Sequence, residues 1–430
     1  MKEPSRVRGG APARLALAAL SGLILLLAAC APRLGPPEGG TAAAEPQIAE
    51  DRLIMADGAA LPLRRWLPSD GCTPCATAVG SEAPEAVILA LHGFNDYSNA
   101  FAEAASDWAE LGIATYAYDQ RGFGANPHAG LWAGESRLIE DLRSAAALLR
   151  ARYPETPLYL LGESMGGAVV MAAMASAEPP EADGIILVAP AAWGRELQGP
   201  LQTTLLWLAA HTMPWLTLTG KGLDIWPSDN IEMLRALGRD PLVIKETRVD
   251  AIYGLVNIMD RALEAAPEIH GPALVLYGSH EEVIPPKAAL AMLRRLPPNP
   301  PAEHKVAIYP DGYHMLLRDL QAEVVRRDIA AWIADRDAPL PSGADRVAAA
   351  VLSGDGDDLM LAEDVARALM TGGAATAGAG IPASGGAGTE DAGSQSARSG
   401  HGESEGREAP AAAKEKAPPP EAAGGWWTAR

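Results

Sequence analysis

The stretch Tyr159-Leu160-Leu161-Gly162-Glu163-Ser164-Met165-Gly166-Gly167-Ala168-Val169 constrains this chain more than any other. Apolar residues suited to a buried strand run into Gly162-Glu163-Ser164-Met165-Gly166, and a small-residue helical run, Gly167 to Ala177, follows. A serine between strand and helix, with glycine two residues away on each side, is a nucleophile elbow. Such a turn leaves no room for side chains at Gly162 and Gly166 and lifts the Ser164 hydroxyl above the sheet edge. The helix that starts there aims its positive end and free backbone N–H groups at any developing oxyanion. In a chain this rich in glycine and serine, a bare G-x-S-x-G arises by chance roughly one time in five. Gly402-Glu403-Ser404-Glu405-Gly406 is such a copy, set in a polar tract without strand or helix around it, so Ser404 reads as an ordinary serine.

The rest of the chain fits the same architecture. Arg52 to Met55 and Leu61 to Trp66 read as an N-terminal hairpin around Asp57-Gly58. The apolar run Glu85 to Leu91 has the character of a strand buried on both faces. A helix over Asn99 to Leu111, a strand over Ile113 to Tyr118, a helix over Arg137 to Arg152 and strands over Pro157 to Leu161 and Gly184 to Val188 continue the alternation. It breaks from Ala191 to about Ala266, which is helical and rich in large apolar residues, among them Trp193, Leu205, Leu206, Trp207, Leu208, Met213, Trp215, Leu216 and Trp226. It then resumes with a strand over Ala273 to Tyr277, a helix over Pro286 to Leu296, a strand over Lys305 to Tyr309 and a helix over Ala322 to Ala334. This pattern implies an α/β fold with a mostly parallel, doubly wound sheet. The interruption, 191–266, reads as a helical cap over the sheet's C-terminal edge, with an extension of the core as the alternative.

The two ends differ from the middle. Lys2, Arg6, Arg8 and Arg14 precede an apolar run from Leu15 to Ala29, which is signal-peptide anatomy. It ends Leu27-Ala28-Ala29-Cys30, which resembles the lipobox of bacterial lipoproteins. That resemblance implies cleavage after residue 29, acylation of Cys30 and anchoring to a membrane surface. The alternatives are a plain secretory signal or an uncleaved anchor. Residues 30–50 read as a tether, 51–340 as the folded domain and 341–430 as a largely disordered tail, apart from weak helices around Arg346 to Leu352 and Ala362 to Met370. The remaining cysteines, Cys72 and Cys75, sit in a turn-rich loop and are expected to pair as a small structural disulfide. A redox pair would need a helix start, and a zinc site two further ligands nearby. No metal or other cofactor is expected; Asp355-Gly356-Asp357-Asp358 lacks the spacing of a calcium loop. A formal charge of −19 argues against nucleic acid as a partner.

A nucleophilic serine needs a base for its proton and a carboxylate to hold that base, in the chain order serine, acid, histidine. His314 lies in the loop straight after the last strand and is the expected base. The acid is expected after the strand Ala273 to Tyr277, where Glu281 is the third residue beyond Gly278 and Glu282 its near rival. Asp119 comes before the serine and is expected to brace its own turn.

Taken together, Gly162-Glu163-Ser164-Met165-Gly166-Gly167-Ala168-Val169, His92-Gly93-Phe94, Asp119-Gln120-Arg121-Gly122-Phe123-Gly124 and Gly312-Tyr313-His314 resemble the monoacylglycerol lipase/lysophospholipase group of α/β-hydrolases, often labelled serine-aminopeptidase-like. The resemblance covers roughly residues 51–335. It implies an oxyanion hole formed by the backbone N–H groups of Phe94 and Met165. Glu281 departs from the aspartate usual in that group. The implied activity is hydrolysis of carboxylic esters with a lipophilic acyl chain, through an acyl-enzyme on Ser164, by a lipid-anchored protein of the bacterial envelope, on the periplasmic face of the outer membrane. A peptidase or small-ester esterase on the same residues, or a catalytically silent envelope lipoprotein, are the competing expectations.

Overall fold

Along Ala86–Leu91 the side chains alternate strictly. Val87, Leu89 and Leu91 enter one hydrophobic core, and Ala86, Ile88 and Ala90 enter a second. A strand with two dry faces requires layers of helix on both sides, and the computed structural model has that arrangement. It describes residues 32–36, 45–68, 83–220, 222–298 and 303–353, with 359, 362 and 364. Cys30, Cys72, Cys75, the apolar N-terminal run and the second copy of the serine motif lie outside the described residues.

The strands, in chain order, are β1 (Gln47–Ile48), β2 (Arg52–Ile54), β3 (Ala60–Trp66), β4 (Ala86–Leu91), β5 (Ile113–Tyr118), β6 (Leu158–Glu163), β7 (Gly184–Val188), β8 (Thr217–Leu218), β9 (Thr247–Arg248), β10 (Ala273–Gly278) and β11 (His304–Tyr309). Nine of them form one sheet in the order β1-β2-β3-β5-β4-β6-β7-β10-β11. Pairing is antiparallel from β1 to β5 and parallel from β5 onward. The helices are α1 (Ala102–Glu110), α2 (Glu135–Arg152), α3 (Met165–Met174), α4 (Pro200–Thr212), α5 (Ile231–Arg239), α6 (Val249–Ala265), α7 (Pro286–Leu293), α8 (Ala322–Ala334) and α9 (Ala344–Ser353). Buried residues of α2, α3, α6 and α7 cover one face of the sheet. Those of α1 and α8 cover the other. The expected doubly wound, mostly parallel sheet is the observed one.

The details differ in four places. The expected helix over Asn99 to Leu111 begins as a 3₁₀ turn, Ser98–Phe101, because the Asp119 carboxylate takes both the N–H and the hydroxyl of Ser98 and holds that turn tight. The stretch read as a tether contributes β1, whose Ile48 packs on the larger core, and Gly35 donates its N–H to the carbonyl of Trp132 at 2.7 Å. The folded body continues past residue 340 through α9, where Val347, Ala348 and Val351 are buried. Within the interruption after β7, α6 belongs to the core, with Val256, Ile258, Met259, Ala262 and Leu263 facing α3 and its neighbours.

The segment before α6 is built otherwise. It holds α4, a short antiparallel ribbon of β8 and β9, and α5. Along α4 only Ala210 is buried. Of the large apolar residues in the expected cap, Leu205, Trp207, Met213, Trp215 and Leu216 are exposed, and Leu206 packs against the core.

Candidate active site

The four loops that matter all leave the C-terminal ends of parallel strands. After β6 the chain reverses through Ser164 at φ 53° and enters α3 at Met165. A non-glycine residue at such an angle is strained, and the surroundings hold it there. Ser164 donates its N–H to the Val188 carbonyl at 2.9 Å, and its own carbonyl accepts from Ala168 and Ala191. A side-chain carbon at Gly162 would overlap the backbone of Gly166 and Gly167, and one at Gly166 would overlap the Leu91 carbonyl. The tight turn expected from the motif is therefore enforced by β4 and by the elbow itself. Ser164 is half-buried.

After β4 the loop His92-Gly93-Phe94-Asn95-Asp96 passes directly over the serine. A Cβ on Gly93 would sit 3.3 Å from Ser164 Cβ and 3.9 Å from its Oγ. His92 is fully buried. Its Nδ1 lies 2.8 Å from the Gly93 carbonyl and its Nε2 accepts the Gln120 N–H at 2.9 Å, so it is the neutral Nδ1–H tautomer. Burial holds its pKa below the usual range. It serves as a brace for the loop, not as a base. Among the described residues, no backbone–backbone bond outside the helices and strands takes up the N–H of Phe94 or of Met165. The Phe94 ring meets Phe123 and Trp132, with centroids 5.5 and 6.4 Å away.

The histidine and its acid come together from the last two strands of the sheet, β10 and the edge strand β11. The loops after β10 and β11 are locked by the N–H of Ser279 on the Tyr309 carbonyl and of His280 on the Gly312 carbonyl, both at 2.9 Å. This brings His314 Nδ1 to 2.8 Å from Glu281 Oε2. The other carboxylate oxygen of Glu281 accepts the N–H groups of Val283 and Ile284, at 2.7 and 2.9 Å. Burial alone would pull the His314 pKa down, but the charge and hydrogen bond of Glu281, with the charges of Glu163 and Asp319, outweigh it and raise the pKa overall. With Nδ1 committed to Glu281, Nε2 is the nitrogen left to accept a proton. Asp119 braces its own turn as expected, accepting the Ala125 N–H on the oxygen that Ser98 does not use.

Behind these groups lies a charged cluster that the sequence reading missed. Arg318 is buried, with Nη1 2.8 Å from Asp96 and Nη2 3.0 Å from Glu163. Asp319 accepts from the Ser228 hydroxyl at 2.6 Å and from the Tyr313 N–H at 2.8 Å, and its burial pushes its pKa up to about 6. The available signal was the pair Arg318-Asp319 at the end of the apolar run Met315-Leu316-Leu317, where two adjacent charges must find buried partners.

The segment between β7 and α6 touches the loops after β4 and β11. Ile244 donates to the Asn95 carbonyl at 2.9 Å, Asn95 Nδ2 donates to the Thr247 hydroxyl at 2.7 Å, and Tyr97 OH donates to Asp240 at 2.7 Å. Met315 donates to the Pro227 carbonyl at 3.0 Å. Between this segment and the body, Phe123, Leu131, Trp132, Ile244 and Ala251 close together beside Asn95 and leave no room for a water molecule. Among the described residues no group of three His, Cys, Asp or Glu side chains is arranged to hold a metal ion.

Comparison with known proteins agrees with this geometry. The chain is similar to the monoglyceride lipase of Rattus norvegicus, at 27% identity over 290 residues, covering 66% of this chain and 90% of that protein. It is also similar to the monoacylglycerol lipase of Mycolicibacterium smegmatis, at 24% over 255 residues, covering 58% and 88%. Among solved structures, a soluble variant of the Saccharomyces cerevisiae monoglyceride lipase superposes with a TM-score of 0.54 at 20% identity, covering 70% of this chain and 99% of that one. The Paleococcus ferrophilus monoacylglycerol lipase gives 0.52 at 20%, covering 64% and 99%. At those identities the superpositions speak to the fold, which is that of an α/β-hydrolase. Residues 82–321, more than half of the sequence and all four loops of the site, match the family described as "Serine aminopeptidase, S33", and the chain belongs to that family.

Proposed function

We propose that this protein is a serine hydrolase of carboxylic esters with a lipophilic acyl chain, of the monoacylglycerol or lysophospholipid type. The observation that carries the reading is the buried bond between His314 and Glu281, beside a serine on a strained strand-to-helix turn. In the proposed cycle His314 Nε2 takes the hydroxyl proton as Ser164 Oγ attacks the ester carbonyl. The oxyanion forms between the N–H groups of Phe94 and Met165. Collapse returns the proton to the departing alcohol and leaves an acyl-enzyme, and water then repeats the sequence. Preorganised donors of this kind are worth about 10²–10³ in turnover each.

Two observations favour a lipophilic ester over a peptide. Four carboxylates of the site, Asp96, Glu163, Glu281 and Asp319, are buried and committed to Arg318, His314, Ser228 and Tyr313. An aminopeptidase needs an open carboxylate for the substrate's free amine, and none of these four is open. The side chains packed together beside Asn95 are mostly apolar, and the named activity of the relatives above is hydrolysis of monoglycerides. A fluorophosphonate probe should label the full-length protein, and Ser164→Ala should abolish both labelling and ester turnover. An unlabelled wild type would make it a silent member of the fold, and turnover of aminoacyl amides faster than of esters would make it a peptidase.

We also propose that the protein is exported and held at a membrane by acylation of Cys30, with Cys72 and Cys75 paired by a disulfide. The lipobox-like Leu27-Ala28-Ala29-Cys30 supports this. A palmitate analogue should label the wild type and not Cys30→Ala; equal labelling of both would remove the anchor from the reading.

A further inference from the structure

Arg318 has no part in the cycle proposed above, yet it joins the loops that carry that cycle, and the role inferred for it here rests on that function. Its guanidinium binds two carboxylates from different loops: Asp96, two residues beyond Phe94, and Glu163, immediately before Ser164. Arg318 itself stands four residues beyond His314. One side chain therefore joins the loop over the serine, the nucleophile turn and the histidine loop, and these are parts of the site that meet nowhere in sequence. Arg318 and Glu163 are buried. Asp96 is further fixed by accepting the Tyr97 N–H at 2.8 Å, and its own N–H reaches the Gly93 carbonyl at 3.3 Å, so its carboxylate position is the position of the Gly93–Phe94 backbone.

The cluster is poorly built as a device for stability. Glu163 Oε1 and Arg318 Nε are buried without a hydrogen-bond partner. Two carboxylates share one guanidinium in a dry interior, where burial raises the pKa of Glu163. An apolar filling of the same volume is commonly as stable as a buried ion pair or more so. What the charged version adds is direction: a planar fork with two carboxylates at its ends fixes their separation, which packing alone would not.

We propose that Arg318 is a positioning residue for the proposed reaction: it clamps Asp96 to Glu163 and thereby fixes the Phe94 N–H relative to the Ser164 oxygen. It touches no substrate. Its effect is confined to the step in which the oxyanion forms, because that is where the placement of Phe94 counts.

The test uses the full-length protein, active sites titrated with a fluorophosphonate, and a soluble p-nitrophenyl ester. Asp96→Asn keeps size and shape and removes the charge that Arg318 holds. It should lower kcat per titrated site by about 10²-fold, the scale of an ångström-sized misplacement, with KM within about twofold. A trifluoromethyl ketone, whose adduct with Ser164 places an oxyanion in the same hole, should weaken by the same factor as kcat. Arg318→Met should act likewise, and the double variant should be no worse than either single one, because both sever one clamp. If Arg318→Met does not fold, Asp96→Asn and Glu163→Gln carry the comparison. A kcat per titrated site within twofold of wild type, with only the melting temperature lowered, overturns the proposal and leaves the cluster as internal support. An unlabelled, inactive wild type would instead mean that the function proposed above has failed.

Discussion

Glu281 and Glu282 are neighbours in the chain and serve different loops. Glu281 turns inward, with one oxygen 2.8 Å from His314 Nδ1, and is buried. Glu282 turns toward the segment that follows β7 and accepts the Trp226 N–H at 2.8 Å. From sequence Glu281 is the expected acid and Glu282 its rival, since a shift of one residue in the loop exchanges them. The local cause of the choice is the turn after Glu281: its Oε1 accepts the N–H groups of Val283 and Ile284, which fixes the side chain on the inner side. The longer glutamate, in place of the aspartate usual in the resembling group, thus holds its own loop with one oxygen and the histidine with the other.

Substituting each glutamate separately checks that assignment. Glu281→Gln should lower kcat on a soluble ester by about 10⁴-fold, as loss of the orienting carboxylate does in serine proteases. Glu282→Gln removes the charge but keeps an oxygen that can accept the Trp226 N–H, and should cost less than about tenfold. The reverse order would put the acid one residue later.

The acid limb of the pH profile follows from the same bond. Burial depresses the His314 pKa, while the negative charges of Glu281, Glu163 and Asp319 raise it by more, so the net direction is upward. Only the neutral imidazole can accept the serine proton, so kcat/KM should fall toward acid with a midpoint above about 6.5. Glu281→Gln removes the largest raising influence and should move the midpoint of the residual activity to lower pH. A limb that stays in place in the variant would mean that His314 is not the group being titrated.

The sequence made the sheet legible because both of its faces are dry. Ile113–Tyr118 and Gly184–Val188 are bounded in the structure as the apolar runs suggested. The elbow was legible for a steric reason, since glycine is forced at residues 162 and 166 by overlap with backbone. What could not be read was whatever depends on distant pairing. Asp96 and Arg318 lie at opposite ends of the domain, and neither neighbourhood announces the other. The apolar stretch after β7 misled for a different reason. Composition reports that Leu205, Trp207, Met213 and Trp215 are apolar, not which way they face, and the structure turns them outward. Helix α6 within the same stretch faces inward, and its apolar residues recur on one helical face, whereas those of α4 are spread around the helix.

Trp132 offers a test of packing beside the site. Its indole lies flat against Gly254 of α6, where any added side-chain carbon would overlap the ring. Gly254→Ala would normally favour a helix, but here it must push Trp132 away, and overpacking of this kind costs about 1–3 kcal/mol. The melting temperature should fall by about 2–4 °C for each kcal/mol. Because Trp132 contacts Phe94, turnover should fall as well. An alanine variant as stable as wild type would mean that the Trp132 site is slack.

The last prediction separates the inner and outer faces of the segment after β7. An acyl chain that enters between Phe123, Leu131, Trp132 and Ile244 must part side chains that leave no room for a water molecule, and each methylene then buried contributes about 0.8 kcal/mol. For p-nitrophenyl esters kept below their aggregation limit, kcat/KM should climb by up to roughly tenfold per two-carbon step until no more of the chain can be buried there, then level off. Ile244→Asn places an amide in that path and should flatten the climb, leaving the acetyl ester within about threefold of wild type. Trp207→Ser lies on the exposed side and should not alter the profile for soluble esters at all. A flat profile in the wild type would assign the enzyme to small esters. A profile changed by Trp207→Ser and not by Ile244→Asn would move the acyl chain to the outer face of α4.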